Sequence, residues 1–241
     1  MEDRSHTDGV ERALVVTAHP DDLDFEAGAT IASWTAAGVA VAVVLVTSGD
    51  AGQSGSAPRE EVIALREAET IAAAAELGVD DVTFFRYPDS RVEVTLDLRR
   101  DIARQIRRVR PQRVVTWAPE RTYDIFDANH PDHRAVGEAT LCAAYPDGAN
   151  RFIHPELTAE GWEAWHTPET WLMSAPRPNA YVDVTDTIEA KLRALRAHAS
   201  QTGRTDELEG SIRQRAANDA AAAGTPPGRL AETFLITRTS A

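Results

Sequence analysis

Two short clusters of histidine and aspartate hold the residues best suited to chemistry. Residues 19–22 read His-Pro-Asp-Asp, and residues 130–133 read His-Pro-Asp-His. Together they supply three imidazoles and three carboxylates, the donor types from which a catalytic zinc ion takes three ligands while keeping one position for water. Zinc lowers the pKa of such a water to about 7, and a neighbouring carboxylate can then act as general base. The two clusters therefore predict a metal site that activates water.

Either cluster alone also fits a simple turn at the end of a strand. Proline presets φ in such a turn, and aspartate bonds nearby backbone amides. Two clusters of this kind at one edge of a sheet favour the metal site over two unrelated turns. A structural zinc site built from thiolates is excluded, because the only cysteine is Cys142.

The elements that must position these clusters form an alternating pattern of strands and helices. Such alternation predicts an α/β fold with a Rossmann-like, mostly parallel sheet and helices on both faces. Ligands bind beyond the carboxyl ends of parallel strands, so the first and second clusters should face one crevice. The predicted strands cover residues 13–17, 39–46, 82–85 and 114–117, and the predicted helices cover residues 25–37, 59–77 and 96–109.

The remainder of the chain is less regular. A helix should start at Asp132 or His133 and run to Ala144. Residues 145–169 lack periodicity, which fits either a lid or binding wall, or a surface excursion held by aromatic residues. Further strands are expected at 171–173, 180–184 and 234–237, and further helices at 186–199 and 212–223. We expect a flexible tail at residues 1–10 and a single domain over residues 11–241.

Composition narrows the range of partners. The chain has 241 residues and a formal net charge of −13, which argues against nucleic acid as a partner. No apolar run approaches the roughly 20 residues of a membrane helix, and residues 1–10 lack an apolar signal core. With one cysteine and no disulfide, the cytoplasm is the expected location. A small-molecule substrate is expected, and a homo-oligomer is compatible with the sequence.

The paired clusters occur together with three further motifs: Gly-Ala-Thr at 28–30, Thr-Ser-Gly-Asp at 47–50 and Arg-Glu-Ala-Glu at 66–69. This combination resembles the LmbE-like, or PIG-L, family of zinc-dependent N-deacetylases, from about residue 13 to residue 201. The resemblance implies removal of an N-acetyl group from an N-acetylglucosamine-type substrate. It also implies zinc as the metal, with iron(II) as the alternative.

The resemblance assigns roles to the residues of both clusters. His19, Asp22 and His133 match the metal ligands of the family, and Asp21 matches its general base. His130 matches the histidine that assists at the tetrahedral intermediate and at the leaving amine. Adjacent residues of an extended loop point in different directions, which fits Asp22 as a metal ligand and Asp21 as the base that acts on the water.

Four further residues carry weaker assignments. Asp132 resembles the carboxylate that tunes the catalytic histidine. Arg66 matches an arginine that contacts sugar hydroxyls, and the alternative is an arginine on a helix surface. Asp89 fits a second sugar contact or a turn aspartate. His198 fits a site role or a histidine that complements a helix dipole.

Two departures from the family affect the site. Leu23 stands where many relatives have an acidic residue, and Ala128 stands where some have a tyrosine that helps to hold the oxyanion. Oxyanion stabilisation would then come from zinc, His130 or backbone amides. The same machinery would also serve an amidase acting on mycothiol-like thiol conjugates, and the other alternative is a sugar-binding module without turnover.

Overall fold

One eight-stranded sheet organises the part of the chain that the computed structural model describes, residues 1–52, 56–123, 129–202 and 207–239. The strands are β1 (Glu2–Asp3), β2 (Arg12–Thr17), β3 (Ala40–Thr47), β4 (Asp81–Tyr87), β5 (Arg113–Trp117), β6 (Glu169–Met173), β7 (Ala180–Asp183) and β8 (Ala231–Arg238). Their order is β1-β7-β8-β6-β5-β2-β3-β4. Only β8 runs antiparallel to its neighbours, β6 and β7. The predicted mostly parallel sheet is confirmed.

Helices cover both faces of this sheet, as expected. They are α1 (Asp22–Glu26), α2 (Gly28–Ala36), α3 (Arg59–Glu76), α4 (Leu96–Val109), α5 (Pro131–Cys142), α6 (Pro155–Ala159), α7 (Ile188–Ala197), α8 (Ala199–Thr202) and α9 (Leu208–Ala223). Within the described ranges, none of these helices is long and apolar enough to cross a membrane.

The alternation of side chains along β2 creates two cores. Ala13 and Val15 point into a core with α1, α2, α3 and α7, whereas Leu14 and Val16 point into a core with α4 and α5. Both sets are fully buried, as expected for a central strand of a parallel sheet. A smaller apolar cluster joins α7 to α9.

The helix after β2 starts earlier than predicted and is interrupted. Asp22 is already the first residue of α1, and Ala27, with φ −137° and ψ 8°, separates α1 from α2. The buried carboxylate of Glu232 accepts hydrogen bonds from the amides of Ala29 and Thr30 at the start of α2. Lys191 donates to the carbonyl of Phe25 at 2.8 Å. These partners lie more than 150 residues away, so local periodicity could not reveal the break.

The amino terminus is more ordered than the expected flexible tail. Glu2 and Asp3 pair in parallel with Ala180 and Tyr181 of β7. Arg4 forms a bidentate ion pair with Glu169 at 2.7 and 2.8 Å. The edge of β7 offers unpaired backbone groups, and this segment satisfies them.

The segment at 145–169 lies at the amino edge of the sheet, away from the two clusters. A π-helical turn, Ala143–Asp147, follows α5, and the short α6 comes later in the segment. The indole of Trp165 donates to the carbonyl of Pro111, just before β5. Arg107 donates to four loop carbonyls, those of Asp147, Asn150, Ile153 and Trp162. This placement favours a surface excursion over a lid.

Candidate active site

The two His-Pro-Asp clusters meet at the carboxyl edge of the central strands. His19 directly follows β2, and residues 130–133 follow β5 and open α5. His130 is the N-cap of α5, and its ring accepts a hydrogen bond from the amide of Asp132 at 3.2 Å. Asp89, which follows β4, reaches the same place. The topology thus brings together side chains more than 100 positions apart, as the sequence predicted.

Three side chains converge on one point in the spacing of metal ligands. His133 Nε2 lies 3.1 Å from His19 Nδ1 and 3.2 Å from Asp22 Oδ1. The same carboxylate oxygen lies 3.7 Å from His19 Nδ1. A tetrahedral zinc ion with bonds of 2.0–2.1 Å separates its ligand atoms by about 3.3 Å. The three donors therefore fit a small divalent cation in both chemistry and spacing.

The surroundings of Asp22 aim one carboxylate oxygen at this point. The other oxygen, Oδ2, accepts hydrogen bonds from the amides of Ala18 and His19 and from the indole of Trp117, at 2.9 to 3.0 Å. Trp117 also stacks on His133, with ring centroids 3.8 Å apart and planes within 7°. Burial opposes ionisation, yet His133 and His19 hold the pKa of Asp22 well below its usual range.

Carboxylates surround the opposite nitrogen of His19. Its Nε2 lies 3.3 Å from both Asp132 Oδ2 and Asp89 Oδ1. Despite burial, Asp22 and these two acids raise the pKa of His19 to about 12. Donor atoms of His19 with Asp89 and Asp132, and of His19 with His130 and His133, lie within 4.8 Å of one another. Such a concentration of negative charge and lone pairs is suited to binding a cation.

The carboxylate of Asp132 acts on His130 through its charge, which opposes the lowering of the pKa of that histidine. It contacts His19 and accepts hydrogen bonds from the amides of Ser90 and Val92, at 2.7 and 3.2 Å. Asp132 thereby fixes the loop after β4 to the first cluster. Burial first, and then His19 and His133, lower the pKa of His130.

Asp21 occupies the turn between β2 and α1 in a left-handed conformation, with φ 82°. Arg66 on α3 holds this turn: it donates to the carbonyls of Pro20 and Gly49 and lies 3.4 Å from Asp21 Oδ2. Burial and the neighbouring Asp22 raise the pKa of Asp21 to about 7. This carboxylate therefore has the properties of a general base near neutral pH.

Arg66 is only 5% exposed, which excludes an arginine on the helix surface. The loop it contacts must approach it closely, because a Cβ atom on Gly49 would lie 2.1 Å from the guanidinium. His198 is also buried, and its Nε2 lies 2.9 Å from Asp24 Oδ2. It therefore fastens the end of α7 to α1 and is no surface partner of a helix dipole.

Comparison with known proteins bears directly on this geometry. The family model described as PIG-L, GlcNAc-PI de-N-acetylase, matches residues 14–144, which is more than half of the chain and includes both clusters. The chain belongs to the PIG-L (LmbE-like) family. The diacetylchitobiose deacetylase of Thermococcus kodakarensis is 32% identical over 193 residues, covering 80% of this chain and 70% of the relative.

A second relative and a solved structure support the same family assignment. The 1D-myo-inositol 2-acetamido-2-deoxy-alpha-D-glucopyranoside deacetylase of Rhodococcus erythropolis is 30% identical over 247 residues, covering 81% of this chain and 82% of the relative. The structure of N,N'-diacetylchitobiose deacetylase from Pyrococcus horikoshii with its inhibitor MPG superposes with a TM-score of 0.87. It is 26% identical, and the match covers 98% of this chain and 86% of that one.

This PIG-L protein is an amide hydrolase of the N-deacetylase type, and its family is metal-dependent. The structure brings His19, Asp22, Asp89, His130, Asp132 and His133 together, and Asp21 adjoins Asp22 in the same turn. Sequence reasoning missed Trp117, whose only signal was its position at the end of a strand that leads to the second cluster. Ala128 lies outside the described residues.

Proposed function

We propose that the protein is a zinc-dependent N-deacetylase that hydrolyses the acetamide of an N-acetylglucosamine-type substrate, within a single domain of residues 11–241. The observation that carries this proposal is the convergence of His19, Asp22 and His133, with Asp21 next to Asp22 in the turn between β2 and α1. The deacetylase activities of the two relatives support the same reaction. Iron(II) is the alternative metal, because histidine and carboxylate ligands suit both ions.

His19, Asp22 and His133 would hold the metal. A divalent cation bound there polarises the amide carbonyl and lowers the pKa of water. The chain keeps these ligands in place through surrounding contacts: Trp117 and backbone amides fix Asp22, and Asp132 and Asp89 fix His19. Such supporting hydrogen bonds set the orientation and basicity of metal ligands.

Asp21 takes the proton of the attacking water. Its carboxylate is held near the cluster by Arg66, and burial keeps its proton affinity matched to neutral pH. His130 lies on another side of the cluster, with its ring edge-on to His19 at a centroid distance of 4.7 Å. We assign two roles to His130: it stabilises the tetrahedral intermediate, and it delivers a proton to the nitrogen of the leaving amine. The proton that the base takes from water must finally reach this nitrogen.

A cavity of about 420 Å³ next to Asp89 provides room for the sugar. Asp89 contacts His19 at its inner end, and its other oxygen accepts from the amide of Ala51 at 3.0 Å. We propose that Asp89 accepts hydrogen bonds from sugar hydroxyls. The acceptors of Arg66 are protein atoms, so its contribution to substrate binding is to position Asp21 and the loop at Gly49.

An acetate-release assay on metal-loaded protein tests this function. The panel contains N-acetylglucosamine, its simple glycosides and a mycothiol-like conjugate amide, and bound metal is measured by elemental analysis. We expect one bound zinc and acetate release from the glucosamine derivatives. Cleavage of the conjugate amide alone would support the amidase, and protein with neither metal nor turnover would support the non-catalytic module.

A further inference from the structure

A second cavity, of about 360 Å³, opens beside α1 at the carboxyl edge of the sheet. We call it the α9 cavity, because α9 supplies one wall while the loop after β6 and the start of β8 supply the others. Its charged lining residues are Glu26, Lys191, Arg215, Asp219 and Glu232, and its uncharged polar ones are Thr122, Ser174, Asn218 and Thr233. None of them belongs to the two His-Pro-Asp clusters.

The α9 cavity is a near neighbour of the metal cluster. Glu26 follows Asp22 by four residues on α1, a rise of about 6 Å. Met173 of β6 is the register partner of Trp117, and its carbonyl accepts from the amide of Ala118. Ser174 directly follows Met173, so its backbone leaves the sheet one strand spacing, about 4.8 Å, from the backbone at the end of β5.

The charges in the α9 cavity do not balance. Arg215 makes a bidentate ion pair with Glu26, which also accepts a hydrogen bond from Ser174. Lys191 pairs with Glu232 at 2.6 Å. These two pairs use both basic residues of the cavity. A third acidic residue of the cavity, on α9, has no basic residue to pair with.

Asp219 is that third acid. It has no hydrogen bond or ion pair among the described residues, so the cavity carries one surplus negative charge. Burial, opposed by Arg215 and aided by Glu232 and Glu26, raises the pKa of Asp219 to about 6. A cation beside it would relieve both the burial penalty and the repulsion from the two paired acids.

Seven other residues of the wall are apolar, and they suit the body of an organic ligand better than a bare ion. They are Phe25, Ala175, Pro176, Pro178, Ile212, Ala216 and Ala231. Apart from α1 and Thr122, the lining comes from residues 174–233, beyond the segment that the family model matches.

We propose that the α9 cavity binds a protonated amine carried by the aglycone of the substrate, with Asp219 as its counter-charge. This inference rests on the proposed deacetylase function and specifies its substrate class as amino-sugar conjugates with a second, cationic amino group. The ammonium donates a charge-assisted hydrogen bond to Asp219, and its carbon chain packs on the apolar wall.

Two synthetic substrates test this directly: the 3-aminopropyl and 3-hydroxypropyl glycosides of N-acetylglucosamine. They differ only in the terminal group. We expect the wild-type kcat/KM to be about tenfold higher for the aminopropyl glycoside, the value of one charge-assisted hydrogen bond. In Asp219→Asn that ratio should fall towards one. Asp80→Asn, an exposed acid at the opposite edge of the sheet, should keep the wild-type ratio.

A wild-type ratio near one, or a ratio unchanged in Asp219→Asn, would overturn the proposal, and the wild-type comparison alone suffices if the variant does not fold. Absence of acetate release from both glycosides would instead contradict the proposed function. In that case calorimetric titration of the metal-loaded protein with each glycoside decides the inference. Preferential binding of the aminopropyl form that is lost in Asp219→Asn supports it, and equal affinities refute it.

Discussion

Asp21 and Asp22 are neighbours in the chain but serve different partners. The left-handed backbone of Asp21 turns its carboxylate towards Arg66, while Asp22 opens α1 and faces the histidines. A non-glycine residue with φ 82° is strained, and such strain is retained where it places a functional group. The division of labour between the two acids therefore depends on one backbone angle.

Replacing Asp21 by asparagine should leave metal binding intact and lower kcat by about 100- to 10,000-fold, the usual contribution of a general base. The amide keeps the shape of the side chain but cannot accept the proton. Steady-state acetate release and elemental analysis on the same preparation measure both quantities. Wild-type turnover in Asp21→Asn would remove this residue from the role of base.

Trp117 should matter for metal affinity through its indole N–H. Trp117→Phe keeps an aromatic ring against His133 but removes the donor to Asp22, so we expect zinc affinity to fall about 10- to 100-fold. Competition with a chelator measures this. Trp34→Phe is the matched control, since the buried Trp34 Nε1 has no partner among the described residues. Equal affinities in both variants would contradict the proposed support of Asp22.

Most residues of the site could be predicted from the sequence, because they stand close together in two short motifs. The contacts between residues of distant segments could not be predicted. The contact of Asp132 with His19, and that of Trp117 with Asp22, join residues about 100 positions apart whose register depends on the whole sheet. The only local signal of Trp117 is its position at the end of a strand that leads to the second cluster, and ordinary core residues occupy such positions too.

At the scale of elements, the junction of α1 and α2 is held by a buried ion pair. Glu232 binds the free amides at the start of α2, and Lys191 binds Phe25 O at the end of α1. Both side chains are about 4% exposed, so each charge depends on the other for compensation.

Glu232→Gln should lower the free energy of unfolding by about 3 kcal/mol or more, because it leaves the Lys191 charge buried without a counter-charge. The double variant Glu232→Gln with Lys191→Met should recover part of this loss. Urea denaturation of the wild type, the two single variants and the double variant gives the coupling energy between Glu232 and Lys191. Glu76→Gln, in an exposed pair with Arg193, is the control and should cost less than about 1 kcal/mol. Equal losses in Glu232→Gln and Glu76→Gln would show the buried pair to be unimportant.

Periodicity predicted the position of a strand or helix where that element buries a single apolar face. The bounds of α4 agree with the predicted 96–109, since its apolar stripe is local. The break at Ala27 and the pairing of Glu2 with β7 were missed, because distant groups decide them. Local patterns predict which segments can be regular, and tertiary partners decide where regularity stops.

At the scale of the whole molecule, Glu169 binds residues near both ends of the described chain. Its carboxylate accepts from Arg4, Arg238 and the indole of Trp171. Burial works against the charge, but the Trp171 indole, Arg4 and the nearby Arg113 lower the pKa of Glu169 below its usual value. A depressed folded-state pKa adds stability above the unfolded pKa of 4.5 and loses it as the pH falls through the folded value.

Glu169→Gln should therefore destabilise the protein by about 1 to 3 kcal/mol at pH 7. The difference from wild type should shrink as the pH falls from 4.5 through the lower pKa of the folded state, because the wild-type carboxyl becomes neutral there as well. Urea titrations between pH 3 and pH 7 measure this trend. Glu11→Gln, whose side chain is 73% exposed, should show little effect at any pH. A difference that grows towards low pH would contradict this account.

The register between β5 and β6 has a consequence for how this protein can change over evolutionary time. It joins a segment that holds all the proposed metal ligands, residues 19–133, to a later segment that builds most of the α9 cavity. Mutations can accumulate in the later segment without touching a donor. Recombining it with the corresponding segment of a relative should produce chimeras that keep turnover and inherit a new substrate preference.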